Sequence, residues 1–229
     1  MDIFLFLCVT LGVFAIPLVA LYFGKEWLIA LLPIYLITGN VFAESFILVK
    51  GYLTSMAVPI YAATFLITDI LSEHYGKTEA KRAVYIGFMG QLFFVGVLFI
   101  ILNSPLLPDK SEMFHETYSL LPRLIMGSFI AYIISQLLDV YIYHKIMEAT
   151  GKNRLVWLRN NVGTMTAQLV DTTIFLTIAF YGRPQFDTYS KLIDFILTTW
   201  MFKVIVAALD TPYLYLARRF FRGRHAYTS

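Results

Sequence analysis

The apolar residues of this chain occur in continuous blocks of about 20, the length that a helix needs to cross about 30 Å of hydrocarbon. The blocks are continuously apolar instead of alternating, which favours helices over a barrel. Only 14% of the residues are charged, too few to cover the surface of a soluble domain of this size. We therefore predict an all-α integral membrane protein with seven spans: Ile3–Phe23, Trp27–Val49, Tyr52–Ser72, Tyr85–Leu102, Pro122–His144, Asn161–Tyr181 and Lys191–Ala217.

The basic residues between the spans are distributed unevenly. Connections that alternate along the chain hold twelve Lys or Arg on one side, and the remaining connections hold five. Cytoplasmic loops of membrane proteins carry the excess of basic residues. We therefore predict an external N-terminus and a cytoplasmic C-terminus. The first span lacks a preceding basic segment and is interpreted as a retained helix instead of a signal peptide.

Two polar motifs of the same form lie inside the fifth and sixth spans. Gln136 and Asp139 are three residues apart, and Gln168 and Asp171 repeat that spacing. Residues three apart share a helix face, and ionisable groups inside a membrane usually face a partner, a cavity or a substrate. Matched depth on antiparallel helices predicts that the four side chains form one binding surface, as in inverted-repeat transporters. The alternative is that they only hold the helices together through hydrogen bonds.

The last span contains a lysine, Lys203, at the predicted depth of Asp171 and Asn40. One interpretation is an ion pair with an aspartate, in which each charge neutralises the other. The other is that this pair binds a polar substrate. Trp200 lies one turn before Lys203 and is either a stacking surface for a planar ring or an ordinary packing residue.

Further acidic residues lie towards the ends of spans. Asp69 and Glu73 are near the predicted cytoplasmic end of the third span, and Asp210 lies low on the last span. We interpret the three as candidates for a gate. The alternative for Asp69 and Glu73 is a charged cytoplasmic connector, and the alternatives for Asp210 are a substrate ligand or a helix-breaking element. Glu44, near the outer end of the second span, is either an outer gate or an interfacial residue.

Motifs of soluble enzymes and metal sites are missing from the sequence. There is no Walker A sequence, no His-Glu-x-x-His and no Gly-x-Ser-x-Gly, and the four histidines show no metal spacing. Cys8 stands alone, which excludes an intramolecular disulfide. We predict no enzyme activity, no cofactor, no metal and no nucleic-acid partner. An intramembrane hydrolase using Asp139 and Asp171 remains the enzymatic alternative.

Several short motifs follow one another in a fixed order between about residues 30 and 217. They are Thr38-Gly39-Asn40, Thr68-Asp69 with Tyr75-Gly76-Lys77, the Ser135–Asp139 motif, Arg159-Asn160-Asn161 leading to Gln168 and Asp171, and Phe202-Lys203-Val204 with Asp210-Thr211-Pro212. In this order and spacing they resemble the queuosine-precursor transporter family, also called the vitamin-uptake transporter family.

The resemblance implies a carrier in the cytoplasmic (inner) membrane of a prokaryote that imports 7-deazaguanines such as preQ0 and preQ1, the precursors of a modified tRNA base. It implies a six-helix core, residues 27–217, similar to the substrate-binding subunits of energy-coupling-factor transporters. Residues 1–26 would be an extra N-terminal transmembrane helix and residues 218–229 a basic cytoplasmic tail. The expected substrate-binding residues are Asn40, Gln136, Asp139, Gln168, Asp171, Trp200 and Lys203.

The chemistry of these side chains suits such a substrate. A deazaguanine is flat and rich in donors on its guanine-like edge, which carboxylates accept, while Gln and Asn match its carbonyl. Three alternatives stay open: a binding subunit for another vitamin-like solute that works with a separate ATPase module, the intramembrane hydrolase, and a membrane scaffold. The specific base, the energy source and the oligomeric state do not follow from the sequence.

Overall fold

The computed structural model describes residues 3–43, 45–49, 52–105, 118, 121–151, 155–182 and 187–225. Within them the chain is almost entirely helical, with one short hairpin. The helices are α1 Ile3–Phe23, α2 Lys25–Val41, α3 Ala57–His74, α4 Lys77–Leu102, α5 Leu121–Thr150, α6 Val156–Phe180, α7 Tyr189–Ala208 and α8 Thr211–His225; the strands are β1 Phe46–Val49 and β2 Tyr52–Ser55.

Five helical stretches of the described residues are long and apolar enough to cross a membrane: Phe4–Phe23, Lys77–Leu102, Arg123–Thr150, Val156–Phe180 and Tyr189–Arg219. Many of their large apolar side chains, including Phe4, Phe93 and Ile193, point away from the protein and are exposed. Because no water covers these side chains in a bilayer, such a surface is the normal lipid-facing surface of a helix bundle. The chain is therefore an all-α multi-pass membrane protein.

The second predicted span is shorter than the sequence suggested. Helix α2 ends at Val41, whereas the prediction continued to Val49, and Phe46–Val49 instead forms β1 of an antiparallel hairpin in which Phe46 pairs with Ser55 and Val49 with Tyr52. The sequence carried the signal: Lys50-Gly51 separates two short runs rich in β-forming residues, and a two-residue connection ending in Gly favours a hairpin. Residues 50 and 51 lie outside the described part of the chain.

The last predicted span is divided in two. Helix α7 ends at Ala208 and α8 begins at Thr211, so a two-residue turn at Leu209-Asp210 separates the two helices. Pro212 lies in the first turn of α8, where its missing N–H has no intrahelical partner to lose. The predicted basic tail starts within this helix, because α8 continues through residues 218–225.

Helix α3 lies at the centre of the bundle. Nearly all of its residues are buried, and these include the polar side chains of Thr64, Thr68, Asp69, Ser72 and Glu73. Helix α3 packs against α1, α2, α4, α5, α7 and α8. The candidate site residues described below lie on this central helix and on helices that contact it.

Glycines allow the outer helices to pack closely. A Cβ at Gly90 of α4 would lie 2.8 Å from Cβ of Pro33 in α2, and one at Gly127 of α5 would lie 3.3 Å from Ile178 in α6. Small residues of this kind let the backbones of membrane helices approach each other. Arg123 also joins α5 to the end of α6, because its guanidinium donates to the carbonyl oxygens of Ile178 at 3.0 Å and Tyr181 at 2.6 Å.

Candidate functional site

A cavity lies at the end of the bundle where α2 and α6 end and where α3 and α7 begin, beside the β-hairpin. The cavity has a volume of about 90 Å³. On the same scale, a cavity for one water molecule has a volume of about 10–15 Å³. The cavity therefore has room for a small organic molecule. Its walls are Gly39, Asn40, Ala43, Phe46, Thr54, Ser55, Ala57, Val58, Tyr61, Ser128, Asp171, Phe175, Leu176, Phe180, Phe195, Thr199 and Lys203.

Aromatic rings form much of the cavity wall. Phe180 lies at the centre of this group and meets Phe46, Phe175 and Phe195 edge-on, with ring centroids 6.4, 6.1 and 5.8 Å away. The rings come from two helices and the hairpin, so their packing also holds these elements together. Phenyl rings offer a flat ligand apolar contact and a surface for stacking. This contact does not require the ligand to be charged.

The polar part of the wall is built around an ion pair. Nζ of Lys203 in α7 lies 2.8 Å from Oδ2 of Asp171 in α6, and both side chains are buried. Tyr61 of α3 donates its hydroxyl to Oδ1 of Asp171 at 2.8 Å, and Ser135 of α5 donates to the same oxygen at 3.2 Å. The predicted ion pair is thus present, and the two hydroxyl donors help to compensate for the cost of burying the carboxylate.

Asn40 of α2 also lines the cavity. Its side chain is buried, and its amide nitrogen has no hydrogen-bond partner among the described residues. The hydroxyl of Thr54 in β2 is likewise buried and without a partner in this part of the chain. Because a buried polar group without a partner is costly, two such groups in one cavity wall indicate where a ligand or water would bind.

Gln136 and Gln168 lie away from this wall, and they differ from each other. Gln136 uses both ends of its amide to join α5 to α3: Nε2 donates to Thr64 at 2.9 Å, and Oε1 accepts from Thr68 at 3.1 Å. The amide of Gln168 is fully buried, and neither its nitrogen nor its oxygen has a partner among the described residues. Gln136 therefore has the geometry of a helix-joining residue, while Gln168 does not.

Trp200 is half-buried on α7 and is not among the residues that line the cavity. Its indole N–H donates to the carbonyl oxygen of Met165 in α6 at 3.0 Å. In this conformation the ring therefore joins α7 to α6. The rings that face the cavity belong instead to the phenylalanines and to Tyr61.

Three aspartates lie together on the other side of Gln136. The hydroxyl of Thr164 in α6 is 3.3 Å from Oδ2 of Asp69 and 3.4 Å from Oδ1 of Asp139, and Asp210 accepts from Nδ2 of Asn160 at 2.8 Å. All three carboxyl groups are buried. The structure therefore places Asp139 with the candidate gate residues Asp69 and Asp210, and Asp171 separately in the cavity wall.

The candidate gate residue Glu73 is the centre of a buried ionic network near the end of α3. Its Oε2 accepts from the hydroxyl of Tyr143 at 2.7 Å and from the guanidinium of Arg159. Its Oε1 lies 3.0 Å from Nε of Arg218 in α8. Glu73 thus connects α3 to α5, α6 and α8, at the end of the bundle opposite the cavity. The other candidate gate, Glu44, lies outside the described residues.

Several residues of these sites were not singled out from the sequence. Tyr61 has a recognisable signal, because Tyr61, Thr64 and Thr68 form a hydroxyl stripe along one face of an otherwise apolar helix. The aromatic residues of the wall have no such signal among the 20 phenylalanines and 15 tyrosines of the chain. In the described part of the chain, no group of three His, Cys, Asp or Glu side chains could hold a metal ion.

Comparison with known proteins agrees with this architecture. Residues 55–217 match the family model described as "putative vitamin uptake transporter". The "probable queuosine precursor transporter" of Bacillus subtilis (strain 168) is 34% identical over 199 residues, covering 86% of each chain. The "queuosine precursor transporter" of Escherichia coli (strain K12) is 22% identical over 186 residues, covering 81% of this chain and 82% of its own. No solved structure matches. With a family model that spans most of its length, the chain belongs to the vitamin uptake transporter family, which includes queuosine precursor transporters.

Proposed function

We propose that this chain imports queuosine precursors, 7-deazaguanines such as preQ0, preQ1 or queuine, across the cytoplasmic membrane. The observation that carries the proposal is the cavity, which combines an aromatic wall with a buried polar corner at Asp171, Lys203 and Asn40. A deazaguanine has the matching form, a flat ring with hydrogen-bonding groups along one edge. Membership of a transporter family makes the chain a transporter and not an enzyme, which removes the hydrolase alternative.

The cavity residues suggest how the ring would bind. Phe175, Phe180 and Phe195 would enclose its faces, and Asn40 and Lys203 would meet acceptors such as a carbonyl oxygen or a ring nitrogen. Oδ2 of Asp171 accepts one hydrogen bond, from Lys203, and therefore keeps capacity for a ring N–H. We further propose that Gln168 and Asp139, which lie deeper, meet the substrate later in its passage.

The opposite end of the bundle would be the closed gate. The basic excess of the loops supports a cytoplasmic location of that end. The cavity would then open to the outside, with an external N-terminus and a cytoplasmic C-terminus. Asp69, Glu73 and Asp210 would separate the substrate from the cytoplasm until the network around Glu73 breaks. The conformation would then be the outward-open state of an alternating-access carrier.

An uptake experiment tests the proposed function. Labelled preQ0, preQ1 and queuine would be offered to a strain that makes no queuosine precursors and lacks its own transporter, with and without this chain. We expect uptake only in its presence. In Asn40→Ala, we expect the affinity for the transported base to be about five- to a hundredfold weaker, as the loss of a buried hydrogen-bond partner typically causes. Asn103→Ala is the matched control, because Asn103 is remote from the cavity and its side chain donates to Phe99 in its own helix. Uptake equal to that of the empty strain would refute the proposal.

A second candidate rests on the description of the family, which refers to vitamin uptake in general. In it the chain has a six-helix core like that of energy-coupling-factor binding subunits and carries a vitamin-like solute together with a separate ATPase module. Reconstitution in vesicles distinguishes the two candidates. Accumulation of a deazaguanine by the chain alone favours the carrier, and a requirement for added ATPase subunits favours the second candidate.

A further inference from the structure

We propose that the cavity selects a neutral ring and discriminates against the same ring when it carries an ammonium group, because Lys203 already occupies the carboxylate of Asp171. This inference rests on the proposed function and narrows its substrate class. Among the described residues that line the cavity, Asp171 and Lys203 are the acidic and basic side chains. Their mutual distance of 2.8 Å makes them a neutral pair.

The carboxylate is largely occupied by protein donors. Oδ1 of Asp171 receives the hydroxyls of Tyr61 and Ser135, and Oδ2 receives Lys203. A neutral ring N–H can share Oδ2 with Lys203, but a cationic ligand that shares it places a second positive charge beside the ammonium of Lys203, which is unfavourable. The alternative for a cation is to displace Lys203. Displacement would leave the ammonium of Lys203 in a buried site without its partner, which is strongly unfavourable. From the sequence alone, Asp171 looks like a free carboxylate that could bind a cation. In the structure its carboxylate already has protein partners.

The unused hydrogen-bonding groups of the wall include several donors. Lys203 has three N–H groups, of which one is used on Asp171. The amide nitrogen of Asn40 and the hydroxyl of Thr54 are buried and have no partner among the described residues. A ligand that satisfies this wall presents acceptors, such as a carbonyl oxygen, a ring nitrogen or a nitrile. An ammonium group presents only donors and repels Lys203 in a medium where charges interact strongly.

A matched pair of ligands provides the test. The 7-cyano-7-deazaguanine preQ0 is neutral, whereas the 7-aminomethyl-7-deazaguanine preQ1 has the same ring and carries an ammonium at neutral pH. Affinities of both for the purified protein in lipid nanodiscs would be measured at about pH 7. We expect preQ0 to bind at least tenfold more tightly.

A charge variant connects this preference to Lys203. In Lys203→Met, Asp171 keeps its hydroxyl donors but loses its cationic partner, so the affinity for preQ1 is expected to rise relative to preQ0 until the ratio is lost or inverted. The matched control is Lys191→Met on the same helix, because Lys191 is exposed and pairs with Asp187 at 2.8 Å outside the cavity. It should leave the ratio unchanged.

The outcomes are distinct for the two proposals. If both ligands bind the parent protein equally, or preQ1 binds more tightly, the selectivity inference is wrong while the proposed function stands. The selectivity inference is also wrong if Lys203→Met retains the parent's ratio. If neither ligand binds, this inference falls, and the proposed function falls with it when queuine is not taken up either. The comparison in the parent protein decides the matter even if Lys203→Met does not fold.

Discussion

At the scale of single residues, the ion pair in the cavity wall joins α6 to α7. Asp171 and Lys203 are buried, and each is the charged partner of the other. Truncating one partner of a buried pair costs about 3–5 kcal/mol because it leaves the other charge uncompensated, while replacing both is often nearly neutral. The loss of one of the two charges should therefore destabilise the fold more than the replacement of both.

We expect Lys203→Met to lower the free energy of unfolding by about 3–5 kcal/mol, and the addition of Asp171→Leu to recover most of that loss. The measurement is the thermal unfolding of the purified variants in one detergent, arranged as a double-mutant cycle. Additive losses in the double variant would mean that the two side chains contribute to stability separately, contrary to the observed pair.

The two glutamines of the repeated motif should respond differently to the same substitution. Gln136→Leu removes hydrogen bonds to Thr64 and Thr68 and should cost about 1–2 kcal/mol of stability. Gln168→Leu removes no hydrogen bond seen among the described residues and should be neutral or stabilising, yet it should reduce uptake if the amide meets the substrate. Equal stability losses in the two variants would contradict the difference in their contacts.

At the scale of elements, α2, which carries Asn40 near its end, packs closely against α4. A Cβ at Gly90 would lie 2.8 Å from the Pro33 ring, which cannot rotate away. We expect Gly90→Ala to cost about 1–3 kcal/mol through overpacking. In the same helix, a Cβ at Gly96 would meet no other atom within 4 Å, so Gly96→Ala should be neutral or gain up to about 1 kcal/mol of helix propensity. Unfolding measurements in which both alanines behave alike would refute this difference.

The sequence predicted most of the helices because their apolar blocks have the length that a membrane imposes. It also offered an ion pair between Lys203 and an aspartate as one interpretation, since ionisable groups in hydrocarbon usually face a partner, but it left the choice between Asp171 and Asp139 open. It did not predict that α2 stops at Val41 or that Phe46–Val49 becomes a strand, because apolar β-branched residues occur in membrane helices as well. Nor could the sequence predict the hydrogen bonds of Gln136 with Thr64 and Thr68. Side-chain partners depend on the rotation of each helix about its axis, which the sequence does not give.

At the scale of the whole molecule, the two ends of the bundle are chemically different. One end holds the cavity and its aromatic wall, and the other holds Glu73 with Arg159 and Arg218. A carrier with one open and one closed end has this asymmetry at each stage of its cycle. The end that we propose to be closed holds a charged network, which can dissociate and re-form without rebuilding an apolar core.

Accessibility to a membrane-impermeant thiol reagent should follow this asymmetry. In a Cys8→Ser background, which removes the only native cysteine, we expect Thr199→Cys in the cavity wall to react from outside and to be protected by substrate. Thr164→Cys, beside Asp69 and Asp139, should be unreactive from that side.

Reporter fusions test the orientation of the chain in the membrane. A reporter fused after Ser229 should lie in the cytoplasm, and one inserted near Glu112 should lie outside. Labelling of Thr164→Cys alone, or both reporters on one side, would contradict the proposed orientation.

The hydrogen bond between Trp200 and Met165 gives the protein an intrinsic optical probe. The chain has three tryptophans, and the other two, Trp27 and Trp157, are more than half exposed on the surface. If both are replaced by Phe, the remaining fluorescence comes from Trp200, whose indole N–H joins α7 to α6. Separation of these helices would break that bond and change the polarity around the ring. The emission wavelength of Trp200 would then follow the movement of Lys203, one turn away on α7, without a chemical label.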